Sequence, residues 1–183
     1  INEKQYNKLL EKEKNIENIL SELKEIYLKI PNKISAYDYV KRTEVSINDV
    51  KDKLSKEYNE LELEQAEISI KYEGYIRKAI KADRNYGYPY RLMALVYDEE
   101  KDYKMALKYN LMAEANKYDT NPAMMRHIAE LYSRLEVNNM LKSIEYATKA
   151  IDLDPKNAYN WYFKGWIYYI ENEFGNALKF FKK

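Results

Sequence analysis

The sequence predicts an all-α chain. An N-terminal antiparallel, coiled-coil-like helical hairpin runs into an α-α superhelix of stacked helix pairs. Three observations predict this. Gly and Pro each occur only 4 times in 183 residues, too rarely for sheets joined by tight turns. Every long apolar pattern steps by three and four, the spacing of one helix face. Beyond about residue 87 the sequence repeats itself with a period near 34, as helix-pair arrays do.

The elements follow in order. Residues 2–30 read as one amphipathic helix, because Leu9, Ile16, Leu20, Leu23, Tyr27 and Ile30 form a heptad seam broken only by Glu13. Pro31-Asn32 ends it, since proline disfavours a helical residue before it. Ser35 is placed to cap a second helix, with Asp38 in its first turn. Val40, Ile47, Leu54, Tyr58, Leu61, Ile68, Tyr72, Tyr75 and Ala79 carry the seam onward, interrupted at Glu44, Lys51 and Gln65. No proline interrupts residues 35–83, so one long helix is expected, with a break near Glu60–Glu67 as the alternative. The short connection at residues 31–34 implies that the two helices lie antiparallel. The seam is either satisfied within this hairpin or recruits a second helix.

The repeat occupies the rest. Ala94, Ala129 and Gly165 hold one equivalent small position, followed three residues later by Tyr97, Tyr132 and Tyr168. Four residues before the small position stand Tyr90, Met125 and Trp161. In the second half of each unit the small residues are Ala106, Ser143 and Ala177, with Ala113 and Ala150 seven later. Antiparallel helices approach closely only where small side chains meet, and the next pair buries the face each pair leaves open.

Trp161-Tyr-Phe-Lys-Gly165-Trp-Ile-Tyr168, followed by Ala177 and Phe181, together with the turn Asp152-Leu-Asp-Pro155-Lys-Asn-Ala158, resembles the tetratricopeptide repeat (TPR) over residues 87–183. Three departures stand out. Unit one has Tyr118 where a closing proline is usual, unit two carries about two extra residues near Val137–Asn139, and unit three stops at Lys183 inside its second helix, which suggests a longer protein. Upstream, Tyr72–Ala82 has the look of a second helix of such a pair. The expected organisation is therefore a hairpin over 1–65 and repeats over 66–183, in layers of about 66–86, 87–121, 122–157 and a truncated 158–183.

Composition narrows the chemistry. Lys+Arg 31 against Asp+Glu 30 leaves a net charge of +1, with no basic footprint for nucleic acid or an anionic membrane. No run of 18 apolar residues is present to span a bilayer. The chain opens on Ile1 instead of Met, which leaves its compartment, cytoplasmic or at the cell envelope, and any earlier targeting segment open. Cys 0 removes thiolate metal sites and thiol nucleophiles, and no Gly-rich phosphate loop occurs. His127, the one histidine, stands without a Ser, Cys or carboxylate constellation and reads as structural or exposed. Twenty tyrosines fit coding DNA rich in A and T, and also a sticky interaction face. The expectation is no enzyme, no catalytic residue, no metal and no cofactor.

Recognition remains. The resemblance implies that the first helix of each pair lines a groove for a peptide or helix of a partner protein. Its positions would be Tyr88, Arg91, Leu95 and Asp98, then Arg126, Glu130 and Ser133, then Tyr159, Tyr162, Trp166 and Tyr169. Leu95, Tyr159 and Phe163 depart from the Lys, Asn and Arg clamp some TPR domains use for a terminal carboxylate. The leading expectation is a non-enzymatic scaffold that assembles a complex. The second is a structural protein that self-associates through its hairpin.

Overall fold

The computed structural model describes residues 3–116, 118, 121–134 and 137–182. The chain divides into two compact units, Ile1–Lys78 and Ala79–Lys183.

The first unit begins with α1 (Glu3–Glu25), then β1 (Tyr27–Ile30), β2 (Asn32–Ser35), α2 (Ala36–Val40) and most of α3 (Glu60–Ala82). This corrects the expected helical hairpin. The first helix stops at Glu25, and residues on either side of Pro31 pair as a small antiparallel ladder, with Leu28 opposite Ile34 and Ile30 opposite Asn32. Tyr27, Leu28 and Ile30 beside a proline favour extended backbone over a last helical turn. The expected helix over 35–83 is broken as well. Ser35 caps α2 by accepting from the Asp38 N–H at 3.0 Å, but α2 is short. Residues 41–59 then run irregularly, with 3₁₀ turns at Ile47–Asp49 and Lys51–Lys53.

That segment is held by side chains from the helices. Glu67 accepts from Ser46 Oγ and the Ile47 N–H, both at 2.9 Å. Glu22 accepts from the Ser55 N–H at 2.7 Å and from Tyr58 Oη at 2.7 Å. Lys71 donates to the carbonyls of Arg42 and Val45. Val45, Ile47 and Val50 are thereby pressed into a core with Ile19, Leu23, Val40, Leu63, Ala66 and Ile70. Each such aliphatic side chain contributes about 2 kcal/mol by leaving water. Beside this core Glu73 is buried, accepting from Tyr37 Oη at 2.8 Å and Arg77 Nε at 2.5 Å and pairing with Lys41 at 3.1 Å. Burial opposes the charge on Glu73, yet these three donors hold its carboxyl below the usual range.

Among the described residues, the second unit contains the helix pairs α4 (Gly87–Glu99) with α5 (Tyr103–Ala115), α6 (Pro122–Ser133) with α7 (Met140–Leu153), and α8 (Ala158–Ile170) with α9 (Phe174–Phe181). The small positions are buried throughout, including Ala94, Ala129, Ala106, Ser143, Ala113 and Ala150. Ser143 returns its hydroxyl to the Ala129 carbonyl at 2.7 Å. Each pair also repeats a stacked aromatic contact: Tyr97 on Tyr109 at 5.3 Å, Tyr132 on Tyr146 at 5.7 Å, and Tyr168 on Phe180 at 5.5 Å. The turn within each pair is repeated too. Lys101, Asn138 and Asn172 adopt left-handed φ values of 61°, 44° and 61°. The next N–H then returns to the carbonyl of the repeated tyrosine: Asp102 to Tyr97, Asn139 to Tyr132, Glu173 to Tyr168. The extra residues expected near Val137–Asn139 adjoin Leu135 and Glu136, which lie outside the described residues. Tyr146 Oη also donates to Glu114 at 2.7 Å, linking successive layers.

Candidate functional site

Helices α4, α6 and α8 present the predicted groove positions, and the structure sorts these into two kinds. The polar ones are engaged within the fold. Arg91 donates through Nη1 to Asn110 Oδ1 at 2.5 Å and to His127 Nδ1 at 2.8 Å. An arginine can only donate, so Nδ1 is the unprotonated nitrogen and the imidazole proton sits on Nε2. That nitrogen stands 3.3 Å from Asp98 Oδ2. Arg91 and Asp98, two turns apart on α4, therefore face the two nitrogens of the single histidine on α6. Burial, then the Arg91 charge, lower the His127 pKa from its ordinary 6.5, against the opposing pull of Asp98 and Glu130.

Arg126 repeats the arrangement one layer on. It donates to Asn160 Oδ1 and lies over the Tyr159 ring at 4.8 Å. Asn160 in turn donates to the carbonyls of Ala150 at 2.9 Å and Asp154 at 2.8 Å. Glu130 accepts from Arg134 at 2.7 Å, and Ser133 caps back onto the Glu130 carbonyl at 2.7 Å. The Arg126 and Asn160 bonds tie α6, α7 and α8 together, while the Glu130 and Ser133 contacts stay local to α6 and its C-terminal end.

The apolar positions are the ones turned outward. Tyr88, stacked on Tyr118 at 6.0 Å, and Leu95 are exposed on α4. On α8, Tyr159, Tyr162 and Tyr169 are 53%, 52% and 54% exposed. Tyr159 stacks on Tyr162 at 6.0 Å, and Tyr162 meets Phe181 at 5.6 Å. Trp166 is half-buried against Phe163 at 5.6 Å. A cleft of ≈ 340 Å³ opens between Ala158, Tyr162, Phe180 and Phe181. Among the described residues, no cluster of three His, Cys, Asp or Glu side chains could hold a metal, and no helix is long and apolar enough to cross a membrane.

Asn110, His127 and Asn160 belong to this site and were not among the predicted positions. A signal for the asparagines is present in the repeat itself. Asn110 stands where the other pairs have Ala147 and Phe181, and Asn160 where they have Pro89 and Met124. A buried amide at an otherwise apolar repeat position implies a specific donor or acceptor partner.

Two comparisons bear on this arrangement. The fold of the chain is similar to the crystal structure of MamA, a TPR-type helical repeat protein, with a TM-score of 0.53 and 19% identity over 80% of this chain and 81% of that one. At that identity the likeness is one of fold: this is an all-α helical repeat chain. Residues 3–79 match a different family, the C-terminal helical domain of the tRNA modifying enzyme MnmG/GidA. The matched stretch follows the first compact unit to within a residue at its end. It overturns the expectation of no enzyme. A domain of a tRNA modifying enzyme points to an enzyme family, a link that residue counts for catalytic chemistry could not reveal.

Proposed function

We propose that the second unit binds a segment of a partner protein across α4, α6 and α8, with the aromatic row of α8 as its anchor. The observation that supports this most is the row itself: three tyrosines about half exposed on one helix, beside a cleft, with polar neighbours already committed to internal bonds. Tyrosine contributes large contact area at small entropic cost, and such residues dominate interface energetics. Arg91 and Arg126 act here by positioning the floor. They are not free cations, so the segment they suit is apolar and aromatic in its anchors. The match of residues 3–79 supports reading this module as one carried beside a domain of the kind found in a tRNA modifying enzyme.

The test is site-specific photocrosslinking. A photoreactive phenylalanine at Tyr162 should capture a defined protein, whereas one at Leu141, which is 82% exposed on α7, should not. Tyr159→Ala and Tyr162→Ala should each weaken that complex by about 1–2 kcal/mol with helicity unchanged. Equal capture from Leu141, or binding indifferent to both substitutions, would refute the assignment.

A further inference from the structure

Helix α3 carries two apolar faces, and among the described residues one of them is buried and the other is exposed. The first unit's core takes Leu63, Ala66 and Ile70, and Ile76 is buried too. The heptad seam read from the sequence lies on another side of the helix and faces water: Leu61, Ile68, Tyr72 and Tyr75 are 65%, 52%, 48% and 54% exposed. A shallow groove of ≈ 460 Å³ runs along it, lined by Glu64, Glu67, Ile68, Lys71, Tyr72 and Tyr75. A contiguous exposed stripe with heptad spacing is a helix-pairing surface.

We infer that this face pairs with the same face of a second copy of the chain, antiparallel. The flanking charges carry the choice of occupant and direction. Leu61, Gln65, Ile68, Tyr72 and Tyr75 step by four and three, which puts Glu64, Lys71 and Lys78 along one flank of the seam. In an antiparallel pair equal flanks meet. Setting Ile68 opposite the second copy's Tyr72 brings Glu64 against the second copy's Lys78, and the two-fold axis makes this pair twice. Lys71 would meet its own counterpart near the axis, but its ammonium is drawn away onto the carbonyls of Arg42 and Val45. The other flank offers no conflicting charge, since Glu62 and Ile76 are buried and Ser69 alone is exposed. A parallel pair would set Glu64 and Lys78 against that uncharged flank and gain nothing from them. This surface lies wholly within the first unit and is independent of the groove reading above.

Sedimentation velocity over a range of concentrations tests it, with circular dichroism to confirm unchanged helicity. The chain should dimerise reversibly, and Ile68→Glu should abolish the dimer. Glu64→Lys and Lys78→Glu should each weaken it about three- to tenfold, and the double reversal should restore it. The chain has no cysteine, so single spin labels can be placed at Glu60→Cys and Ser69→Cys. The Ser69 labels should lie close together and the Glu60 labels about 30 Å apart along the axis, from a rise of 1.5 Å per residue. A chain monomeric at all concentrations leaves the face to a different protein and overturns the proposal. So does a dimer indifferent to Ile68→Glu, a double reversal without rescue, or two short label distances.

Discussion

Arg91 can serve His127 only while the imidazole is neutral, because protonating Nδ1 would set two cations against each other at 2.8 Å. The sign of the resulting pH dependence follows. A histidine whose folded pKa is depressed contributes full stability above its unfolded value near 6.5 and loses it as pH falls toward the folded value. The second unit should therefore weaken on acidification below about 6.5. With one histidine in the chain, the imidazole proton signal reports this site alone. We expect its midpoint below 6.5, moving up in Arg91→Met as the Arg91 charge no longer offsets the pull of Asp98 and Glu130. A midpoint at or above 6.5 in the parent would contradict the assigned tautomer. None of this was legible from spacing. The groove positions on α4, α6 and α8 follow from the repeat, but which of them turn inward depends on how far one helix is displaced along the next. Arg91 and Arg126 look like free anchors in the sequence because their partners, Asn110, His127 and Asn160, are distant in the chain or sit on another helix.

Among helices, small residues decide the approach. A Cβ added to Gly165 would stand 2.7 Å from the Phe181 ring and 3.2 Å from the Ala177 carbonyl, whereas one on Gly175 meets nothing within 4 Å. Two Gly→Ala changes in one helix pair should thus have opposite signs. Gly165→Ala should destabilise the α8–α9 contact by about 1–3 kcal/mol through overpacking. Gly175→Ala should stabilise α9 by about 0.5 kcal/mol through reduced backbone entropy. Urea unfolding checks both, and equal effects would mean that Phe181 is not seated on Gly165. The repeat was readable because each contact is specified three times, by small, large and tyrosine positions in register. The N-terminal half lacked that redundancy. With two apolar stripes on α3, the longer aromatic one suggested the core, yet the small and aliphatic one permits the close approach made at Ala66 and at Gly74 against Lys41. Residues 41–59 kept heptad spacing while being shaped by Glu22, Glu67 and Lys71 acting on backbone groups, which no periodicity records.

At the scale of the whole molecule, among the described residues, Tyr37 binds Glu73, Tyr58 binds Glu22 and Tyr146 binds Glu114, each a carboxylate far away in sequence. Burial, then the bond to Glu22, pushes Tyr58 up to about 12, and burial with Glu114 raises Tyr146 as well. An ordinary phenol ionises near 10. A folded pKa above that value means stability intact below about 10 and lost as pH rises through the folded value. Alkaline titration should accordingly show Tyr58 and Tyr146 ionising only as helicity collapses, and Tyr58→Phe should remove part of the delayed absorbance. Full phenolate absorbance near pH 10 with helicity retained would show those bonds to be absent. Tyr58 in the first unit and Tyr146 in the second, both phenols held above their ordinary range, thereby make the chain its own optical gauge of unfolding in base, with no dye or label attached.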